Sequence, residues 1–139
     1  MIVLDTNVVS EITRLVPSAS ALEWLSRQPR SELFLTAVSE AELRYGVEIL
    51  PTGRHRRELA AATEKMLRQS FAGRILPFDS DAARAYAEIA AARRAAGDPI
   101  SQADCQIAAI ARSRGAAVAT RDATGFSGCG IEVINPWQP

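Results

Sequence analysis

Asp5, Glu42, Asp104 and Asp122 are the residues of this sequence whose type and placing point to chemistry. Asp5 directly follows Ile2-Val3-Leu4, a short apolar run that reads as a buried strand. Asp122 comes shortly after a second such run, Ala117-Val118-Ala119. In open parallel sheets, ligands bind beyond the carboxyl ends of the strands, where strand order reverses. If those two strands are neighbours, Asp5 and Asp122 face one another across that crevice. Glu42 falls on one helical face with Val38, Tyr45 and Ile49, and Asp104 on one with Ile107, Ala108 and Ala111. Each is a carboxylate on an otherwise apolar stripe. A buried ionised carboxylate must be neutralised, hydrogen-bonded or bound to a cation, and like charges this close cannot all stay ionised without one. Hard oxygen ligands select magnesium or manganese rather than zinc. A bound divalent ion polarises a phosphate and activates water, so phosphodiester hydrolysis is the chemistry expected. Thr6 and Thr120 sit beside the acids, where their hydroxyls can orient a carboxylate or a water.

Each acid taken singly also has a plainer reading. Asp5 suits the cap of the first helix, and Asp122 suits a turn. Ser39-x-x-Glu42 and Ser101-x-x-Asp104 both have the spacing of a capping box. Capping alone does not require the four to meet at one edge of a sheet; a shared site does.

The elements that must position these groups alternate strand and helix. Ile2–Leu4, Leu33–Leu35, Ile75–Leu76, Ala117–Ala119 and Glu132–Ile134 read as short strands. Helices are predicted after Asp5-Thr6-Asn7 up to near Pro17, then over Ser18–Gln28, Val38–Leu50, Arg56–Phe71, Ser80–Ala96 and Ile100–Arg114, most of them closed by Pro or Gly. Short apolar strands separated by helices predict a parallel sheet covered on both faces. Helices outnumber strands, so some connections must be helical hairpins. No repeat or linker divides the chain, and one α/β domain is expected over residues 1–137.

Composition agrees. A chain of 139 residues with 47% hydrophobic residues buries one core. Sixteen basic and sixteen acidic residues balance, which excludes binding of nucleic acid by bulk charge. Any such contact needs a local patch, and Arg54, Arg56 and Arg57 around His55 are the candidates, although such a run also suits a solvated helix start. Two cysteines, Cys105 and Cys129, and the single His55 make neither a disulfide framework nor a zinc site. Trp24, Trp137 and Cys105 are expected to serve in packing. No basic, apolar leader opens the sequence and no apolar run approaches the roughly 20 residues of a membrane span, so a cytoplasmic protein is expected.

Several stretches together resemble a PIN domain: Ile2-Val3-Leu4-Asp5-Thr6-Asn7, Thr36–Gly46, Ile100–Asp104 with Ile107-Ala108-Ala109, and Ala119-Thr120-Arg121-Asp122. Asn135-Pro136-Trp137 resembles the FitB-like branch of the VapC toxins. The resemblance implies an α/β/α sandwich around a parallel sheet of four to five short strands. It implies a magnesium- or manganese-dependent ribonuclease, the toxin of a type II toxin–antitoxin pair. Asp5, Glu42, Asp104 and Asp122 match the family's acidic positions, with Asp5 and Asp104 as the principal metal ligands. Many relatives carry Asn where Asp122 stands and Asp three residues later, where this sequence has Gly125. The resemblance also implies a homodimer and a VapB- or FitA-like antitoxin, of ribbon-helix-helix type.

Two rivals are distinguishable. An aspartyl-phosphate phosphatase also begins with a strand and an Asp, but its second Asp would be Asn7 here, and its lysine could only be Lys65, in a polar helix. An inactive PIN fold that serves only as partner of a DNA-binding antitoxin would have no need of all four acids. If the chain is a nuclease, its acidic pocket is best blocked by a tethered cation. An antitoxin tail that delivers an arginine among the acids is expected, its apolar residues seated near Trp24 and Leu25.

Overall fold

The computed structural model describes residues 1–139. Five strands form one sheet: β1 (Ile2–Leu4), β2 (Leu33–Thr36), β3 (Ile75–Leu76), β4 (Ala117–Ala119) and β5 (Val133–Ile134). Their spatial order is β3-β2-β1-β4-β5, and every pairing is parallel. The chain winds outward from β1 to β3, then returns to β4 on the other side of β1. The strand order therefore reverses between β1 and β4, where Leu4 lies opposite Ala119.

Six α-helices cover the sheet: α1 (Thr6–Ile12), α2 (Ala19–Arg27), α3 (Ala37–Glu48), α4 (Arg54–Lys65), α5 (Ser80–Ala95) and α6 (Gln102–Ser113). Successive strand residues point to opposite layers. Val3 and Val118 pack with Ala82 and Ile89 of α5 and Ile107 and Ile110 of α6. Leu4, Leu35 and Ala119 pack with Val8 and Val9 of α1, Trp24 of α2, and Met66 and Phe71. Both faces of the short strands are thus buried, which is why they read as continuous apolar runs. Small alanines along α5 and α6 let these two helices lie close together on one layer.

The α/β class, the five strands and the helical hairpins agree with the sequence. Three details differ. The helix expected over Arg56–Phe71 begins earlier, at Arg54, and ends in a wider π turn over Met66–Ser70, where the Phe71 amide donates to the Met66 carbonyl at 3.0 Å. That turn buries Met66, Leu67 and Phe71 together. The cap of α3 is Thr36, whose hydroxyl accepts from the Ser39 amide at 3.1 Å, so Ser39 and Glu42 do not form a capping box. Trp24 is buried in the core and lines no groove.

Candidate active site

Asp5 ends β1 at the point where strand order reverses. It is 6% exposed. Its amide donates to the Ala119 carbonyl at 2.9 Å, which continues the β1–β4 ladder by one residue. Its carboxylate is held on both oxygens: Oδ1 accepts from the Thr6 amide and Oδ2 from the Thr120 hydroxyl, each at 2.8 Å. The capping reading of Asp5 is therefore correct, and the cap leaves the carboxylate at the sheet edge where the proposed site would need it. Burial pushes its carboxyl up to about 6 from an ordinary 3.8, against the pull of the Thr120 and Thr6 hydrogen bonds. The charges of Asp104 and Glu42 push it the same way.

Asp104 is half-buried in the first turn of α6. The Ser101 hydroxyl caps this helix by accepting from the Asp104 amide at 3.2 Å. That bond uses the backbone of Asp104 and leaves its carboxylate free to face the sheet edge. Ile107, Ala108 and Ala111 below it are fully buried, as the stripe predicted.

Glu42 corrects one expectation. It is exposed, and so are Tyr45 and Ile49 on the same side of α3, at 57% and 67%. The buried side of α3 is instead carried by Ser39 and Val47. Glu42 therefore reaches the site across an open wall. It is anchored by Thr6, whose hydroxyl lies 2.8 Å from Glu42 Oε1 and 2.9 Å from the Ser39 hydroxyl. Thr36 stands 3.5 Å behind Ser39. Each hydroxyl has one proton, and a single directed chain satisfies them all: Thr36 to Ser39, Ser39 to Thr6, Thr6 to the Glu42 carboxylate.

Asp122 is exposed, and Thr120 stands between it and Asp5. The Asp122 amide donates to the Thr120 hydroxyl oxygen at 3.0 Å. Its own carboxylate oxygen Oδ1 accepts from the Thr124 hydroxyl and the Gly125 amide, both at 3.2 Å. Asp122 thus closes a turn and is joined to Asp5 through one shared hydroxyl. Arg54 and Arg56 are tied to Glu58 and Glu48 at 2.8 and 3.1 Å, and Arg57 stands exposed beside them. His55 is exposed, and Cys105 is a buried core residue with its thiol pushed up to about 11 by burial.

Three residues join the site that reading residue by residue passed over. Asn7 accepts from the Arg121 amide at 3.2 Å and donates to Thr120 Oγ1 at 3.4 Å, so it ties α1 to the segment after β4. Ser39 belongs to the hydroxyl chain. Arg93 is buried in α5 and donates through Nη1 to the carbonyls of Gly125 and Ser127, each at 2.9 Å, bracing the loop that follows Asp122. Asn7 and Ser39 lie inside the motifs already singled out. Arg93 had no sequence signal, because an arginine in an alanine-rich helix reads as a surface residue.

No three carboxylate, histidine or cysteine side chains of the chain are spaced to close on one ion. The donor chemistry nevertheless fits a hard divalent cation. The side-chain oxygens nearest Asp5 are those of carboxylates and hydroxyls, with the Asn7 amide beside them. Burial first, and then the charges of Asp104 and Glu42, resist the ionisation of Asp5, and a cation would offset both.

A groove of about 690 Å³ opens beside Thr6 and Glu42 and runs between α1, α3 and α4. A second, of about 520 Å³, continues from Thr13 and Ala62 past Leu22, Leu25 and Phe71. Leu15 and Val16 stand at the wall of the first groove, 90% and 85% exposed.

The family model described as "PIN domain" matches residues 2–127. The chain is 43% identical over 139 residues to the VapC ribonuclease Y4jK of Sinorhizobium fredii, covering 100% of this chain and 99% of that protein. It is 41% identical over 138 residues to the toxin FitB of Neisseria gonorrhoeae, covering 99% of each. Among solved structures, FitAB bound to an IR36 DNA fragment contains a chain that superposes with a TM-score of 0.93 at 40% identity, covering 99% of this chain and 96% of that one.

Proposed function

We propose that this chain, which belongs to the PIN-domain family, is the ribonuclease toxin of a type II toxin–antitoxin pair. The observation that carries the reading is Asp5: a buried carboxylate, raised to about 6 and flanked by Asp104 and Glu42, at the switch point of the sheet. Capping of α1 accounts for the bond to the Thr6 amide but not for the approach of Asp104 and Glu42, which adds to the burial that opposes ionisation of Asp5. A site for a cation explains it.

Asp5 and Asp104 would hold a magnesium or manganese ion, with Glu42 and Asp122 completing the site directly or through waters. Such an ion supplies Lewis acidity at a phosphate oxygen and a nucleophilic water at neutral pH. The chain's own residues do the rest. Thr120 and the Thr6 amide hold the Asp5 carboxylate in one orientation. Thr6 fixes Glu42 at the open wall, where its free oxygen can accept a proton from a water. Arg54, Arg56 and Arg57 lie at the start of α4, beside the groove that begins at Thr6 and Glu42, and would contact RNA phosphates there.

The partner is a VapB- or FitA-like antitoxin, and the FitAB complex is the relevant relative. Its tail would lie in the two continuous grooves and place an arginine among the acids, in competition with the metal. The toxin itself would be a homodimer. No helix of the chain is long and apolar enough to cross a membrane.

The test is cleavage of RNA by purified chain in magnesium or manganese, with Asp104→Asn and excess chelator as controls. Cleavage lost in both supports the reading. Undiminished cleavage in either overturns the metal site, and no cleavage by the parent chain leaves an inactive binding partner as the better reading.

A further inference from the structure

Ten of the fifteen arginines are ion-paired with a carboxylate. Arg121, at the very edge of the carboxylate site, is not among them. It lies between Thr120 and Asp122, just past the carboxyl end of β4. Its amide is fixed by Asn7 Oδ1 at 3.2 Å. Its guanidinium carbon sits 5.1 Å from the centre of the Trp137 ring. Trp137 in turn is half-buried against the layer formed by Leu4 and Ala119, and its amide donates to Asn135 Oδ1 at 2.9 Å.

A guanidinium stacked on an indole uses one face and keeps its N–H edges free to pair with two oxygens of a phosphate. No nearby acid takes those edges. Glu11, the buried carboxylate within reach of the Arg121 charge, is already held by the Ser18 amide at 2.7 Å and by Arg14 at 3.0 Å. The result is an exposed cation, pre-oriented on a rigid platform, beside a cluster of acids that repels polyanions. An RNA strand approaching this edge needs a cation of this kind to hold its backbone.

We propose that Arg121, stacked on Trp137, forms a subsite for an RNA phosphate flanking the bond that is cut. The subsite rests on the ribonuclease reading above. It binds and positions substrate without taking part in the chemistry, and Arg121 is exposed, so substitution spares the core.

The experiment measures binding of a single-stranded RNA to the full chain carrying Asp104→Asn, in magnesium, across a salt series. Adding Arg121→Ala should weaken binding about tenfold and reduce the slope of log affinity against log salt by about 0.7, one phosphate contact on a single strand. Arg121→Lys should keep the slope and recover only part of the affinity, since an ammonium does not stack. Trp137→Leu should weaken binding in the same direction by releasing the guanidinium. In the chain with native Asp104, Arg121→Ala should raise KM about tenfold and leave kcat nearly unchanged. An unchanged salt slope in Arg121→Ala, with the parent binding RNA normally, overturns the subsite alone. A parent that neither binds nor cleaves RNA overturns the ribonuclease reading and the subsite with it.

Discussion

The Thr120 hydroxyl donates to Asp5 Oδ2 at 2.8 Å across the β1–β4 boundary, and both side chains are buried. The same oxygen accepts from the Asp122 amide at 3.0 Å. One hydroxyl therefore orients the acid at the end of β1 and fixes the backbone that carries the acid beyond β4. It also opposes, by hydrogen bonding, the rise that burial imposes on the Asp5 carboxyl.

Thr120→Val keeps the shape and removes that bond. Asp5 then loses a donor in a buried place, and the fold should lose about 1–3 kcal/mol. The Asp5 carboxyl should move further above its present value of about 6. If ionised Asp5 is the active form, the acid limb of the cleavage profile shifts to higher pH. Thr120→Ser should restore most of both effects. A kcat/KM profile whose acid limb stays in place in Thr120→Val would show that Asp5 does not set it.

Asp5→Asn should stabilise the metal-free protein at neutral pH. The folded carboxyl is raised to about 6 from 3.8, so the folded state holds its proton more tightly than the unfolded one. Its favourable contribution is present below 3.8 and lost as pH rises through about 6. At pH 7 to 8 the ionised group costs on the order of 3 kcal/mol, and Asn removes most of that. Urea melts of both proteins in chelator should differ by 1 kcal/mol or more above pH 7 and converge below about 4. Equal stabilities across the range would mean that Asp5 ionises without strain.

Magnesium should reverse this order. A cation that binds only the folded site stabilises it by mass action, and the native chain should gain melting temperature where Asp5→Asn gains less. Equal gains in the two proteins would place the ion elsewhere.

The carboxyl ends of β1 and β4 were legible because both strands are apolar runs ended by a polar motif, and parallel sheets put their sites there. Asp104 was legible because its stripe is buried down to Ala111. The apolar stripe on α3 suggests a buried Glu42, whereas the residue is exposed and bonded to Thr6. Helical periodicity gives which residues share a face but not which face the sheet covers, and Tyr45 and Ile49 are apolar residues turned outward. The Ser39 spacing suggested a cap that Thr36 in fact supplies, because the strand's last residue already has extended backbone with its hydroxyl over the helix start. Arg93 was invisible, since its partners are backbone carbonyls of a loop more than thirty residues away.

Gly125 and Asp122 should prove coupled. A Cβ at position 125 would stand 2.4 Å from Asp122 Oδ2. The Asp122 carboxylate therefore fills the room that a side chain at 125 would need. Gly125→Ala should swing Asp122 out of its turn, breaking its bonds to Thr124 and Gly125, and cost about 0.5–1.5 kcal/mol. With Asp122→Ala already in place, Gly125→Ala should cost less, and a double-mutant cycle in urea reads the difference. Additive losses would show that the two positions do not compete for space. Asp122→Asn with Gly125→Asp should cleave RNA better than Gly125→Asp alone, in which two carboxylates crowd one turn.

Arg93 should be the most destabilising surface-charged residue type to replace, because it is not at the surface. It is 6% exposed, with Nε donating to the Asp98 carbonyl at 2.7 Å and Nη1 to the carbonyls of Gly125 and Ser127 at 2.9 Å. Its carboxylate partner, Asp98, lies 3.3 Å away and is mostly exposed. Removing the guanidinium takes the donor from three part-buried carbonyls and empties a buried place in α5, so Arg93→Met should destabilise the fold by about 2 kcal/mol. Arg93→Lys should recover little, since one ammonium cannot span the three carbonyls that the planar fork reaches. Asp98→Asn should change stability by less than about 1 kcal/mol, because an exposed carboxylate contributes little to a pair. Amide exchange gives the functional side of the same argument: residues 122–129 should open faster in Arg93→Lys while the strands keep their protection. If urea melts rank Asp98→Asn as the more damaging change, the ion pair rather than the carbonyl clamp holds this loop, and the Asp122 turn owes nothing to Arg93.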